Sequence, residues 1–302
     1  MKILFCNTLP AECGVHYYGN NLAAVLKTNP ELQVTLACFA SLDECRQAAE
    51  LDRPDFILYN WQQMIGGWMA GAPFDGLGKQ VFVYHDLDAR FDAFHAILFS
   101  DPTMTPHGNW HPIGRPLNFV PLPVLAVSER LTVGVNGFLG AWASGAVAAA
   151  AAAFPGCHFR LQMPFSTFCD GQGDMARQSA TLCAVIASAY GCTLEASHDN
   201  LRWPELVAWL ARNDLNCYVR PVAMNWRGVS SVLDGAMCAG RPIAINRCNA
   251  FRHLHDCRPS ICIEDRSLKE ILETGIEPLV PYYYEFSPAQ VSEEVFRILS
   301  RL

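Results

Sequence analysis

Three short clusters combine residue types that can bind an anion or move a proton. In Tyr84-His85-Asp86, the imidazole could donate a hydrogen bond to a substrate hydroxyl or phosphate. Asp86 could fix its tautomer or take a hydroxyl itself. A histidine that merely caps a strand end would look the same. Asp86 and Asp88 also form a carboxylate pair of the kind that holds a metal-bound nucleotide, although two solvated loop acids explain them as simply. In Arg227-Gly228-Val229-Ser230-Ser231, small residues and two hydroxyls precede a helical stretch. A helix opening there would offer backbone amides, its positive end and an arginine to a diphosphate, whereas plain serine N-capping is the alternative. In Cys13-Gly14-Val15, glycine after an apolar run lets amides approach an anion or simply turns the chain.

Other chemistries are poorly represented. No G-x-G-x-x-G is present, which argues against a nicotinamide dehydrogenase. The 13 cysteines include no Cys-x-x-Cys, so neither a zinc ribbon nor a thioredoxin-type motif is expected. Many of them lie in apolar stretches, as small hydrophobes in a reducing compartment do. His253, His255 and Cys257 read as a surface loop rather than a metal site, and no metal site is expected. Twenty-two basic against 29 acidic residues give a net charge of −7, which excludes a general nucleic-acid binder. Beyond residue 130, 13 of the 14 basic residues are arginine, the side chain suited to bidentate contact with phosphate or carboxylate.

These residues need elements to position them, and the hydrophobic pattern supplies an alternating series. Strand-like runs fall at 2–7, 34–39, 56–60, 80–85, 96–99 and 119–124, then at 132–136, 158–163, 193–197, 215–219, 241–245 and 260–263. Helix-like stretches fall at 16–27, 43–50, 145–154, 174–190, 204–212, 229–239, 267–274 and 288–301. Such alternation predicts parallel α/β sheets covered by helices, and it restarts near residue 130. The expectation is two Rossmann-like domains, 1–130 and 131–302, with parallel sheets facing each other across a cleft. His85 would then stand at a strand's carboxyl end, partly exposed in that cleft. The start offers only Ile3 to Cys6 as an apolar run, far too short for a signal segment, and no run approaches 18 apolar residues. A cytoplasmic protein is expected, either free or peripheral at the inner face of the membrane.

The order of these features resembles a known family. Lys2 to Asn7 with Cys13-Gly14-Val15, Tyr18 and Leu22-Ala23 is similar to the opening strand, glycine loop and helix of GT-B-fold glycosyltransferases, closest to the retaining family four. Val83 to Asp86 resembles that family's strand ending in histidine, and Val135-Asn136-Gly137-Phe138 the start of its second domain. Asp214-Leu215-Asn216, Gly228 to Ser231 and Ala236 to Pro242 resemble its donor region. The resemblance covers nearly the whole chain. It implies transfer of a sugar, a hexose by family habit, from a nucleotide-sugar co-substrate to a glycan, lipid or other acceptor, with no further cofactor and no metal. It also implies His85 and Asp86 as catalytic residues. Gly14, Val15, Phe138, Arg227, Gly228, Val229, Ser230 and Ser231 would be the donor-binding residues. Two departures stand out. The family's paired glutamates fall on Arg227 and Gly235, with Asp234 one place away, and its lysine before a glycine is missing from Ala143-Ser144-Gly145. They motivate the alternative of a degenerate, non-catalytic GT-B protein that binds nucleotide or glycan as a partner subunit. Arg227, or failing that Arg220, is the arginine expected to supply the lost charge.

Overall fold

A computed structural model describes residues 1–8, 13–62, 69, 76–85, 94–122, 129–138, 142–166, 170–222 and 228–302. The chain divides into two compact units. The first opens with β1 (Lys2–Thr8), α1 (Gly14–Leu26), β2 (Gln33–Phe39), α2 (Leu42–Asp52), β3 (Phe56–Trp61), β4 (Lys79–Tyr84), β5 (Ala96–Phe99) and β6 (Trp110–Pro112). The strands form one sheet in the order β2-β1-β3-β4-β5-β6, and every pairing in it is parallel.

Successive side chains of a strand point to opposite faces, and both faces of this sheet are covered. Ile3, Phe5, Leu58, Val81 and Val83 pack on one face with Tyr18 and Leu22 of α1. Leu4, Cys6, Ile57, Tyr59 and Phe82 pack on the other with Cys45 and Ala49 of α2. This accounts for strands that read as continuous apolar runs rather than as alternations. The helices start where capping chemistry places them. Cys13 Sγ accepts from the His16 amide at 3.3 Å for α1, and Ser41 Oγ accepts from Glu44 for α2.

The second unit holds β7 (Thr132–Asn136), α3 (Ala143–Ala153), β8 (His158–Gln162), α4 (Asp174–Ala189), β9 (Thr193–Ser197), α5 (Trp203–Ala211), β10 (Leu215–Tyr218), α6 (Val232–Cys238), β11 (Ile243–Ile245) and α7 (Leu268–Thr274). Its sheet, ordered β11-β10-β7-β8-β9, is also parallel throughout. The alanine run becomes α3, as helix propensity dictates. Val147 and Ala150 of that helix pack with Val133, Phe159 and Leu161 of the sheet. After α7 come α8 (Val280–Glu285) and α9 (Pro288–Leu299), the latter capped by Ser287 with Pro288 in its first turn.

Three expectations are corrected. The division after residue 130 differs from the one observed. The first unit runs to Asn118 and takes back Tyr282–Leu302, because α9 lays Val291, Val295 and Leu299 on the cluster that holds Ile3, Phe5 and Leu22. Residues 119–122 form no strand. Pro121 interrupts the run by removing a ladder donor, and the sixth strand is Trp110–Pro112, at the edge where a proline is tolerated. Residues 260–263 contribute only an isolated bridge, Cys262 to Ile245. No helix among the described residues is long and apolar enough to cross a membrane.

Candidate functional site

At the carboxyl edge of the first sheet, β1, β3 and β4 deliver Asn7, Asn60 and His85 into one polar network. Asn60 Nδ2 donates to Asn7 Oδ1 at 2.7 Å and to the Val15 carbonyl at 2.8 Å. Asn7 Nδ2 donates to Asn20 Oδ1 at 2.9 Å and to the His16 carbonyl at 3.1 Å. The two amides thereby hold the first turn of α1. They also explain Gly19, where a Cβ would stand 2.5 Å from Asn7 Oδ1.

His85 Nε2 lies 2.7 Å from Asn60 Oδ1. That oxygen belongs to an amide already donating through Nδ2 and can only accept, so Nε2 carries the proton. Nδ1 is then the acceptor, and Ser100 Oγ lies 3.3 Å from it. The Tyr18 ring meets the imidazole edge-on at 4.7 Å, and the Arg115 guanidinium sits 4.7 Å from the Tyr18 ring. Burial, and secondarily the Arg115 charge, push the His85 pKa down to about 3. His85 is half-buried and neutral, with both ring nitrogens engaged inside its own unit. The free imidazole edge expected for a substrate hydroxyl is therefore absent from this arrangement. Gly14 opens α1, and Val15 meets Asn60 through its carbonyl. His16 Nδ1, 2.8 Å from the Thr8 carbonyl, donates to it. Asp86, Asp88 and Arg227 lie outside the described residues.

In the second unit a pocket opens at the carboxyl ends of β7 and β10. It is lined by Val135, Asn136, Gly137, Trp142, Ala143, Met163, Tyr218, Val219 and Arg220. The Tyr218 hydroxyl donates to Asn136 Oδ1. Arg220 places its guanidinium 5.4 Å from the Trp142 ring and 5.3 Å from the Phe251 ring, and its Nη2 donates to Ser230 Oγ at 3.1 Å. The Arg220 amide donates to Asn246 Oδ1 at 2.9 Å, and Asn246 Nδ2 returns a bond to the Arg220 carbonyl at 2.6 Å. Burial lowers the Arg220 pKa, yet a guanidinium so shifted stays cationic at neutral pH. Phe138 is half-buried and follows Gly137.

The expected cradle of free amides at 228–231 is corrected. The Ser230 amide donates to the Ala250 carbonyl at 2.8 Å, and α6 begins only at Val232 and spans 7 residues. Ser231 is its N-cap without a side-chain bond. Gly228 and Val229 are buried and group with the first unit. What that motif contributes to the pocket is indirect: the Ser230 hydroxyl accepts from Arg220, which lines it. Among the described residues no cluster of His, Cys, Asp or Glu could hold a metal ion. His253 and Cys257, expected on a surface loop, are buried. The sequence reading passed over Asn7, Asn60 and Trp142. Their one signal was position, since each stands at or near the end of a strand-like run or the start of a helix.

No family model matches the chain, and no curated protein sequence matches it. Solved structures do. The chain aligns over 100% of its length and 100% of the Anabaena protein HepE in complex with UDP-glucose, at 14% identity and a TM-score of 0.64. It aligns over 99% of its length and 96% of the N-terminal domain of Candida albicans trehalose-6-phosphate phosphatase, at 12% identity and a TM-score of 0.56. An E. coli trehalose-6-phosphate protein bound with UDP-2-fluoro glucose aligns over 100% of this chain and 95% of that one, at 10% identity and a TM-score of 0.54. The fold is GT-B. Two parallel α/β units in one chain are what the GT-B fold consists of, and both ends of the chain take part in the match. Identities this low carry the GT-B fold and nothing finer.

Proposed function

We propose that the chain is a glycosyltransferase, taking a sugar from a nucleotide-sugar donor and passing it to a glycan, lipid or other acceptor. One observation carries the reading. The second unit has a pocket at the carboxyl edge of its parallel sheet, the place where such sheets bind ligands, and a half-buried arginine lines it. Two GT-B proteins of similar structure hold UDP-glucose or its fluoro analogue, which agrees with a pocket for a diphosphate-bearing ligand. In this reading the donor sits in the second unit, a hexose is the group moved, and the leaving diphosphate is stabilised by cationic and hydrogen-bonding groups of the protein, without a metal. The reaction takes place in the cytoplasm, on a free acceptor or one presented at the membrane face. Ser230 serves as a support for the arginine rather than as an amide donor, and Gly14, Val15 and His85 shape the first unit's carboxyl edge.

A specific observation favours a second reading, a nucleotide-binding partner subunit without turnover. The described residues of the pocket lining include no carboxylate, and Gly235 stands where the resembling family carries a glutamate. Incubation with UDP-, GDP- and ADP-glucose, followed by chromatography of the released nucleotide and calorimetry of binding, separates the two. Slow donor hydrolysis with binding is the transferase outcome. Binding without hydrolysis or transfer to any acceptor is the partner-subunit outcome, and absence of binding refutes both.

A further inference from the structure

Resting on the nucleotide-sugar reading, we propose that Arg220 is the residue that grips the donor's diphosphate, delivered from the end of β10 in place of a cation on the turn after β7.

The segment from the end of β7 into the first turn of α3, residues 137–145, contains no lysine or arginine, and the described residues it brings to the pocket are Gly137, Trp142 and Ala143. Across the pocket, Arg220 is the one cationic residue among the described residues of the lining. It lies two residues beyond β10, at the carboxyl edge that serves ligands in parallel sheets.

Its surroundings fix it in orientation as well as in place. The backbone is held by Asn246 in both directions. The guanidinium rests against Trp142 and Phe251, and one of its nitrogens is tied to Ser230. A planar fork held in this way has little entropy left to lose on meeting an anion, and its shape suits two oxygens of a phosphate group better than one point charge would. Trp142 adds to this twice, because it flanks the guanidinium and is also the N-cap residue of α3. The anion is thus met by a preset cation and not by a flexible surface lysine. Affinity should therefore depend on the phosphates more than on the base or the sugar.

The test is calorimetry on the full chain with UDP, GDP and ADP at two salt concentrations, for the wild type, R220Q and R220K, with each variant's fold checked by circular dichroism and thermal melting. The wild type is expected to bind at least one nucleotide. R220Q should weaken that nucleotide by roughly ten- to hundredfold, the range for losing a hydrogen bond to a charged group. The dependence of affinity on salt should become shallower, and R220K should recover part of the loss. A folded R220Q that binds within threefold of the wild type, with the same salt dependence, overturns the proposal and leaves the nucleotide-sugar reading standing. A wild type that binds none of the three overturns that reading itself. If R220Q does not fold, the Arg220 Nε–H resonance of the wild type decides. A shift on adding the bound nucleotide but not its nucleoside supports the proposal, and no shift with either refutes it.

Discussion

At Asn60 three hydrogen bonds converge, two given by its Nδ2 and one received from His85. Removing this side chain leaves a half-buried imidazole donor and a helix-turn carbonyl without their partner. Asn60→Ala should accordingly cost about 1–3 kcal/mol, measured by urea unfolding at pH 7. His85 makes a separate prediction. It stays neutral in the folded chain down to a pKa of about 3, while in the unfolded chain it charges below about 6.5. Between these limits the unfolded state binds more protons, so the stability contributed by neutral His85 is complete above pH 6.5 and is lost as the pH falls toward 3. His85→Gln should remove that part of the acid sensitivity, so that between pH 7 and pH 5 it loses less unfolding free energy than the wild type. At this scale sequence reading was only half sufficient. His85 stood out as a histidine at a strand end, but Asn7 and Asn60 look like ordinary polar residues until the sheet places their strands side by side, β1 against β3.

Among the elements, α1 and α9 carry the clearest tests. An alanine ordinarily stabilises a helix interior over glycine by about 1 kcal/mol. Gly19→Ala should do the reverse, destabilising by about 1–3 kcal/mol through overpacking, because the added Cβ would press on the Asn7 and Asn60 side chains. Thermal melts of the two proteins give the sign directly. Leu299→Ala, at the buried end of α9, should cost about 2–5 kcal/mol in the unfolding of the first unit. Hydrophobic runs located most strands and helices, since a strand buried on both faces has to be apolar throughout. They failed at 119–122, where apolar content was right but a proline interrupts the ladder. At α6 they failed because the apolar residues begin ahead of the helix, with the Ser230 amide already paired to Ala250.

For the whole molecule, the two parallel sheets were legible as a pattern that starts twice. The return of α9 was not, because an amphipathic helix declares that it has an apolar face without declaring what covers it. A chain cut after Pro281 should therefore lose the cooperative transition of the first unit while the second keeps its own, as thermal unfolding followed by NMR would show. The same wiring orders events during synthesis. Residues 119–281 emerge together and carry what most of the second unit requires, so that unit can reach its native packing while translation continues. The first unit, begun earlier, must wait with the face that α1 presents to α9 uncovered until Leu299 has left the ribosome. Through that interval its open face is exposed apolar surface of the kind that promotes misassembly, so of the two units the one begun first is completed second.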